Sequence, residues 1–249
     1  EHIELPSQGK FYGEKHALHN QETIEIKYMT AKEEDILTSP SLLKKGLTID
    51  RLLRSVIIDK TIDPQHLLVG DRNAILVGSR VTGYGADYKV NIACPACASH
   101  NEMEVDLSEV NLNHGGVDNA YGYKVVHTGG TEYEITLPRT DVTVTVKLLT
   151  GRDESNITAS TNKRKKHKVE TGLLTTQLKA LIVAVNGNRQ QNDIEQFIEI
   201  MPAFDSRYLR NTYDKICPNV DMSYPFTCDQ CDHETEVEVP LSAEFFWPK

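Results

Sequence analysis

The sequence has no long run of apolar residues, and this absence limits where the protein can work. Among its 249 residues, hydrophobic residues make up 39% and aromatic residues only 7%. A helix that crosses a bilayer needs about 20 consecutive apolar residues, and no segment approaches that length. The first residues are polar, so we also expect no signal peptide. We therefore expect a globular protein without a membrane partner.

An excess of positive charge is also missing. The chain has 27 lysine and arginine residues against 36 aspartate and glutamate residues, which gives a formal net charge of −9. Proteins that follow a nucleic-acid backbone present a basic face, so nucleic acid is an unexpected partner here. One basic run, residues 163–168, stands apart, and we interpret it as a solvated loop inserted in the second half. If this run binds anything, an acidic protein surface or a polyanion fits.

The motifs of common enzymes are absent as well. There is no G-x-S-x-G elbow, no H-E-x-x-H helix and no glycine loop of the kind that holds phosphate. Aspartate and glutamate residues are numerous, but they lie mostly at predicted helix starts and on the polar faces of predicted strands. We therefore expect a protein without enzymatic activity.

Cysteine is scarce, yet four of the five cysteines form two C-x-x-C pairs. Each pair lies in the middle of a segment, residues 88–108 or residues 222–242, in which apolar residues alternate on both sides of the pair. Such alternation around a tight turn predicts a β-hairpin with one buried face. We name these segments the first and second knuckle. Their cysteines are Cys94, Cys97, Cys228 and Cys231.

Together the two knuckles offer the ligand set of a zinc site. Two cysteines in one tight turn can reach one Zn²⁺ ion but supply only half of a tetrahedral site. We therefore predict one zinc ion bound by all four cysteines and joining the two parts of the chain. Four protein ligands leave no open position for water or substrate, so this zinc is predicted to be structural.

Other uses of the cysteines stay open at this point. The pairs could form disulfides, could each recruit a histidine, or could hold no metal. Disulfides in C-x-x-C pairs are usually catalytic and accompany a thioredoxin-like context, which is missing here. His100 and His233 lie near the knuckles but do not align with each other, so we interpret them as bystanders. The fifth cysteine, Cys217, is interpreted as a small buried apolar residue.

The chain carries an internal repeat. The knuckles align without a gap at an offset of 134, and residues 24–38 align with residues 144–158 at an offset of 120. The fold class predicted is α+β with a tandem duplication, in which each repeat has strands, helices and a knuckle hairpin and a shared zinc site joins the repeats. The predicted boundaries are residues 1–112 for the first repeat with its N-terminal arm, 113–119 for a linker, and 120–249 for the second repeat with the basic insertion. Since the offset grows from 120 to 134, the second repeat has 14 extra residues, which we assign to the basic insertion.

Local signals predict the main elements of each repeat. Thr30 followed by Glu33 is typical of a capping box at a helix start. Asp71 is placed to cap a later helix, and Asp205 matches it in the second repeat. Helical spacing of apolar residues covers residues 49–57 and again residues 174–185.

The N-terminal arm carries two adjacent aromatic residues, Phe11 and Tyr12, in a stretch where proline and glycine argue against a helix. We predict that the arm docks on the body of the protein. Together with the basic run, the arm around these two residues is also our expected surface for contact with other proteins.

Several of these segments together resemble a known family. They are residues 5–7 with Gly9 and Tyr12, residues 28–38 (YMTAKEEDILT), residues 70–73 (GDRN) and the first knuckle pair. The resemblance is to the T-even phage baseplate hub family, whose members are virion or assembly proteins of contractile tails. It is densest over residues 3–108 and reaches the second half mainly through the internal repeat.

The resemblance implies a structural component of the central baseplate hub, acting in tail assembly through contacts with other hub proteins. It implies a location in the phage virion, with the host cytoplasm as the place of assembly. The duplication suggests several copies in a symmetric assembly, since a ring of three duplicated chains can meet a six-fold neighbour. One alternative is an assembly chaperone absent from the virion. Another is a zinc-ribbon protein that binds nucleic acid, which the basic run favours and the net charge opposes.

Overall fold

A computed structural model describes residues 1–166, 172–241 and 243–246, and the side chains of these residues except 163–166 and 243–244. This part of the chain contains both helices and strands, as predicted. The helices are α1 (Ala31–Thr38), α2 (Pro40–Lys45), α3 (Thr48–Val56), α4 (Val69–Tyr84), α5 (Gly151–Lys166), α6 (Leu173–Leu181), α7 (Gln191–Ile200) and α8 (Ala203–Ile216). The strands are β1 (His2–Glu4), β2 (Thr23–Glu25), β3 (Asp87–Ala93), β4 (His100–Asp106), β5 (Asn111–Asn113), β6 (Val125–Gly129), β7 (Glu132–Thr136), β8 (Thr143–Lys147), β9 (Ile182–Val185), β10 (Asn219–Asp221), β11 (Ser223–Thr227) and β12 (Glu234–Glu238).

The strands form one larger sheet and several two-stranded pairs. The larger sheet is antiparallel with the order β6-β7-β8-β9, and its β8 residues Val144 and Val146 are fully buried. The two-stranded pairs are β1-β2, β3-β4, β5-β10 and β11-β12, all antiparallel. The predicted helix over residues 174–185 is wrong in its last part, because residues 182–185 form β9. Ile182, Val183 and Val185 are β-branched, which favours a strand.

One cluster of buried apolar side chains runs through both predicted repeats. It includes Ile26 and Leu53 in the first half and Tyr133 and Leu209 in the second, each at 1% exposure or less. The division into two repeats and a linker stays a prediction.

Helix α5 extends to Lys166, so the loop expected at the basic run is wrong for residues 163–166. Their side chains and residues 167–168 lie outside the described part.

The start of α1 confirms the predicted capping box. The Glu33 carboxylate accepts hydrogen bonds from the backbone N–H of Thr30 at 3.0 Å and from the Thr30 hydroxyl at 2.7 Å. It also pairs with Lys27 Nζ at 2.7 Å and accepts a hydrogen bond from Ser55. Burial acts to raise the pKa of Glu33, but these hydrogen bonds outweigh it and lower the pKa to about 2. The carboxylate therefore stays charged and fixes α1 to its neighbours.

The start of α5 has the same arrangement. The Asp153 carboxylate accepts from the Thr150 backbone N–H at 3.0 Å and from the Thr150 hydroxyl at 2.9 Å, and Lys147 pairs with it at 2.7 Å. Burial acts against its charge, but these contacts lower the pKa of Asp153 on balance.

Asp71 does not cap a helix, contrary to the prediction. Helix α4 begins at Val69 after the N-cap residue Leu68, and Asp71 lies in the first turn, fully buried. Its carboxylate instead accepts hydrogen bonds from the Ser7 backbone N–H at 3.0 Å, from the Ser7 hydroxyl at 2.6 Å and from the Tyr12 hydroxyl at 2.6 Å. The N–H of Val69, the first residue of α4, donates to the Leu149 carbonyl instead, and the Asp71 carboxylate satisfies the buried donors of the N-terminal arm.

The N-terminal arm docks on the body, as predicted. Tyr12 is 7% exposed, and its oxygen also accepts a hydrogen bond from the Leu68 backbone N–H at 3.0 Å. Phe11 packs edge-on against His127, with ring centroids 6.0 Å apart, and lies near Tyr133. The expectation that Tyr12 forms a contact surface for other proteins is therefore wrong, because its ring and hydroxyl are used within the chain.

The two halves of the chain meet at the start of α4. The Val69 backbone N–H donates to the Leu149 carbonyl and the Gly151 N–H donates to the Leu67 carbonyl, both at 3.0 Å. A Cβ atom placed on Gly70 would lie 1.9 Å from the carbonyl oxygen of Pro218. This close approach leaves room only for glycine.

Within the described residues, none of the helices combines the length and the apolar character that a membrane span requires.

Candidate metal centre

The first knuckle is a hairpin of β3 and β4 that closes at the pair Ala93–His100. In the turn, the Cys94 backbone N–H donates to the Ser99 carbonyl and the Ala98 N–H donates to the Cys94 carbonyl, both at 2.8 Å. Ala98 has a φ of 58°, a left-handed conformation in which the chain turns back after Cys97.

The second knuckle repeats this turn between β11 and β12. The Cys228 N–H donates to the His233 carbonyl and the Asp232 N–H donates to the Cys228 carbonyl, both at 3.0 Å. Asp232, directly after Cys231, has a φ of 52°. The predicted pair of cysteine-bearing hairpins is thus confirmed, and both turns direct two thiols to one side.

The structure brings all four predicted cysteines together. Their sulfur atoms lie within 4.8 Å of one another, with Cys94 and Cys231 at 3.8 Å and Cys97 and Cys228 at 3.7 Å. A tetrahedral zinc site with Zn–S bonds of about 2.3 Å has sulfur–sulfur edges of about 3.8 Å. The cluster therefore fits one tetrahedral ion. A disulfide needs sulfurs about 2.05 Å apart, and all five cysteines are free thiols.

Two polar residues of the first knuckle support the cluster, and neither was identified from the sequence. Ser99 Oγ lies 3.0 Å from Cys97 Sγ and 3.2 Å from Cys228 Sγ. Asn101 is 4% exposed; its side-chain amide donates to Cys228 Sγ at 3.7 Å and its oxygen accepts from the Asp229 N–H at 2.8 Å. Asn101 occupies an inward position of β4, where the alternation calls for an apolar residue. That mismatch is the signal that could have identified it.

The electrostatics of the cluster favour a bound cation. Four thiolates this close repel one another, so without a cation they do not all ionise. The Ser99 hydroxyl helps to lower the pKa of Cys228 to about 5. The His233 N–H acts to lower the pKa of Cys231, but the neighbouring thiols and burial raise it to about 12. A divalent metal removes this conflict, because it stabilises all four thiolates at once.

The residues interpreted as bystanders lie outside the cluster. His100 is an exposed residue of β4, and neither it nor His233 belongs to the described group of residues that could hold a metal. Cys217 is partly buried beside Tyr213 at the end of α8, and burial raises the pKa of its thiol to about 12. The thiol is therefore protonated at neutral pH.

Comparison with known proteins identifies the family. The family model described as T4 bacteriophage base plate protein matches residues 2–247, which is essentially the whole chain. No curated protein and no solved structure matches it. The resemblance seen in residues 28–38 and in the first knuckle is confirmed by this match. The chain therefore belongs to the family of T4 bacteriophage base plate proteins.

Proposed function

We propose that this protein is a structural component of the central hub of the baseplate in a contractile-tailed phage, and that it works through protein–protein contacts without catalysis. The match of residues 2–247 to the base plate family carries this proposal. The family places the protein among tail components and implies other baseplate proteins as partners. The central position and the permanent presence in the particle are the proposed refinements. The role of an assembly chaperone is the second candidate, since the same family resemblance accommodates it.

The cysteine cluster is proposed to hold one structural zinc ion. Its support is the sulfur spacing, which fits a tetrahedron, and the donor set of four thiolates, which suits Zn²⁺. Cys94 and Cys228 are buried while Cys97 and Cys231 reach the surface. The ion would fix the first knuckle to the second and so set the shape that neighbouring proteins meet.

The proposed duplication is supported by matched contacts of Asp71 and Asp205, which correspond to each other in the two halves. Residues 5–6 and residues 137–138 are both Leu-Pro. After the first, Asp71 accepts hydrogen bonds from the backbone and hydroxyl of Ser7. After the second, Asp205 accepts from the Arg139 N–H at 2.9 Å, from the Thr140 N–H at 3.0 Å and from the Thr140 hydroxyl at 2.7 Å. In each half a Leu-Pro turn is thus held by an aspartate in the first turn of a later helix.

Matched strand contacts also locate the extra residues of the second repeat. Ile26 pairs with Ile57, and Val146 pairs with Ile182. The difference in residue number between matched positions is therefore 120 for Ile26 and Val146, 125 for Ile57 and Ile182, and 134 for Asp71 and Asp205. Only five extra residues precede α6, and nine fall after Ile182, where α7 lies. On this proposal the insertion is divided between two places and is not confined to the basic run.

If the halves are equivalent, removing either aspartate has the same consequence. We expect Asp71→Ala and Asp205→Ala each to lower the free energy of unfolding by about 3 kcal/mol, since each removes three hydrogen bonds to a fully buried carboxylate. A hydrogen bond to a charged group contributes about 1.5–3 kcal/mol, and partial relaxation offsets some of the loss. Urea denaturation measures both. The exposed Asp35→Ala is the control and should change stability by less than about 0.5 kcal/mol. A large loss for one aspartate and none for the other would contradict equivalence.

The location of the protein tests the proposed function. We expect purified virions to contain the chain, and antibody labelling of isolated tails to mark the centre of the baseplate. Quantitative mass spectrometry against a known tail protein would give the copy number, for which a multiple of three agrees with the proposed symmetry. Presence in assembly intermediates but not in virions would establish the chaperone role instead. Labelling at the baseplate periphery would refute the hub position.

A further inference from the structure

A basic groove opens on the surface of the first half, between α1, α3 and the segment that follows α3. Its volume is about 650 Å³. Isoleucine side chains form part of its surface: Ile36 is partly buried and Ile58 is 45% exposed, whereas Ile57 beneath them is 1% exposed. Five cationic residues surround it, namely Lys27, Lys32, Arg51, Arg54 and Lys60. So many cations around one groove stand out in a chain whose net charge is −9.

Not all of this charge is neutralised within the chain. Lys27 pairs with Glu33 and Arg54 pairs with Asp63 at 2.8 Å. Lys60 donates to backbone carbonyls at the end of α3. Burial and the neighbouring cations lower the pKa of Lys60. For Lys32 and Arg51, the described part of the chain supplies no ion-pair partner.

The second half shows what such a groove can accommodate. At the corresponding place, Lys147 matches Lys27, and Ile182 matches Ile57 as the strand partner and as the residue that ends the preceding helix. There α7 packs against α6 and β9 and forms one wall of the groove. It buries Ile194 and Ile198, at 2% and 5% exposure.

Charge fixes α7 in place as well. Its Glu195 pairs at 2.7 Å with Lys179, which corresponds to Arg54 of the first half. In the first half, the segment between Ile57 and α4 contains only the short 3-10 turn Pro64–His66, so no helix occupies this side of the groove. The first groove thus has counterparts of Lys147 and Lys179, and of the apolar residues Ile182 and Val183, but lacks the helix.

We propose that the basic groove of the first half binds an acidic amphipathic helix from another baseplate protein, in the place that α7 takes in the second half. Apolar side chains one turn apart on that helix would cover Ile36 and Ile58, and carboxylates on its rim would pair with Lys32 and Arg51. The comparison with α7 rests on the proposed duplication, whereas the exposed isoleucine and the unpaired cations do not. A polyanion such as nucleic acid fits less well, since it gains nothing from the apolar surface.

A peptide with the sequence of residues 190–201, fluorescently labelled and blocked at both ends, is a suitable probe. It carries three carboxylates and no cation. We expect it to bind the zinc-loaded chain of residues 1–249 with a Kd of about 1–100 µM, within the range of weak helix-in-groove complexes. Fluorescence anisotropy gives the Kd. The double variant Lys32→Glu/Arg51→Glu should weaken binding at least tenfold, and Ile58→Ser should weaken it several-fold.

The matched control is Lys15→Glu/Lys124→Glu, which makes the same change of net charge at exposed lysines away from the groove. It should alter the Kd less than twofold. Circular dichroism checks that every variant remains folded. The proposal is overturned if the wild-type chain does not bind the peptide, or if the groove and control variants weaken binding equally. It is also overturned if a scrambled peptide of equal charge binds as well, since that outcome indicates attraction of any polyanion. None of these results bears on whether the protein lies in the virion.

Discussion

Cys228→Ser is expected to abolish zinc binding by the whole chain, not by one knuckle alone. Wild-type protein should contain one zinc ion per chain and the variant less than a tenth of that after dialysis against a mild chelator. Apparent binding energies of structural zinc are about 10–16 kcal/mol in zinc-finger peptides, comparable with the total stability of a domain, about 5–15 kcal/mol. We therefore expect the variant to lose several kcal/mol of stability. Metal analysis and thermal unfolding of the same samples measure both effects.

Cys217→Ala is the matched control, because Cys217 is the cysteine that lies outside the cluster. It should keep one zinc ion per chain. Two zinc ions in the wild type, or one that survives Cys228→Ser, would mean that each knuckle binds metal separately, with His100 or His233 as further ligands. The prediction of one zinc site shared by the two knuckles would then be wrong, although the family assignment would stand.

Gly70→Ala is expected to destabilise the protein by about 3 kcal/mol or more, although it adds a single methyl group. The new Cβ would lie 1.9 Å from the Pro218 carbonyl oxygen and 2.8 Å from the Cα of Asn219. Both are backbone atoms, so relief requires α4 to move away from β10. Overpacking of this kind typically costs 1–3 kcal/mol, and more where the backbone must shift. Urea denaturation measures the change in the free energy of unfolding.

Gly13→Ala serves as the control. Gly13 is exposed and its added Cβ would meet no atom within 4 Å, so stability should change by less than about 0.5 kcal/mol. If Gly70→Ala leaves the free energy of unfolding unchanged, the contact between α4 and β10 is looser than the structure indicates. Zinc content is expected to remain near one per chain if the variant stays folded, which separates this effect from that of the metal centre.

Features written in short segments were predictable from the sequence. The knuckles were visible because apolar residues alternate on both sides of a C-x-x-C pair, and the start of α1 was visible because Thr30 and Glu33 are three residues apart. The grouping of the four cysteines followed from chemistry, since half a ligand set needs another half.

Features that depend on distant partners were not predictable in this way. An aspartate near a helix start is usually interpreted as a cap, and the donors that Asp71 serves instead lie 59 and 64 positions earlier. Nor did local spacing show that the helical pattern ends at Leu181, because the strand β9 is selected by its neighbour β8. Asn101 was overlooked for the same reason, since its role depends on Asp229 in the other knuckle.

Because a ribosome makes the chain from the N-terminus, the two halves of the four-sulfur cluster are synthesised at different times. Cys94 and Cys97 are synthesised long before Cys228 and Cys231, with residues 98–227 between the two pairs. At about 5–20 residues per second, synthesis of that stretch takes about 7–26 s. During that interval, the first pair is a half-complete set of thiols that oxidation or a stray metal can reach. Synthesis of the second knuckle therefore ends this interval, because it supplies the other two thiols of the cluster.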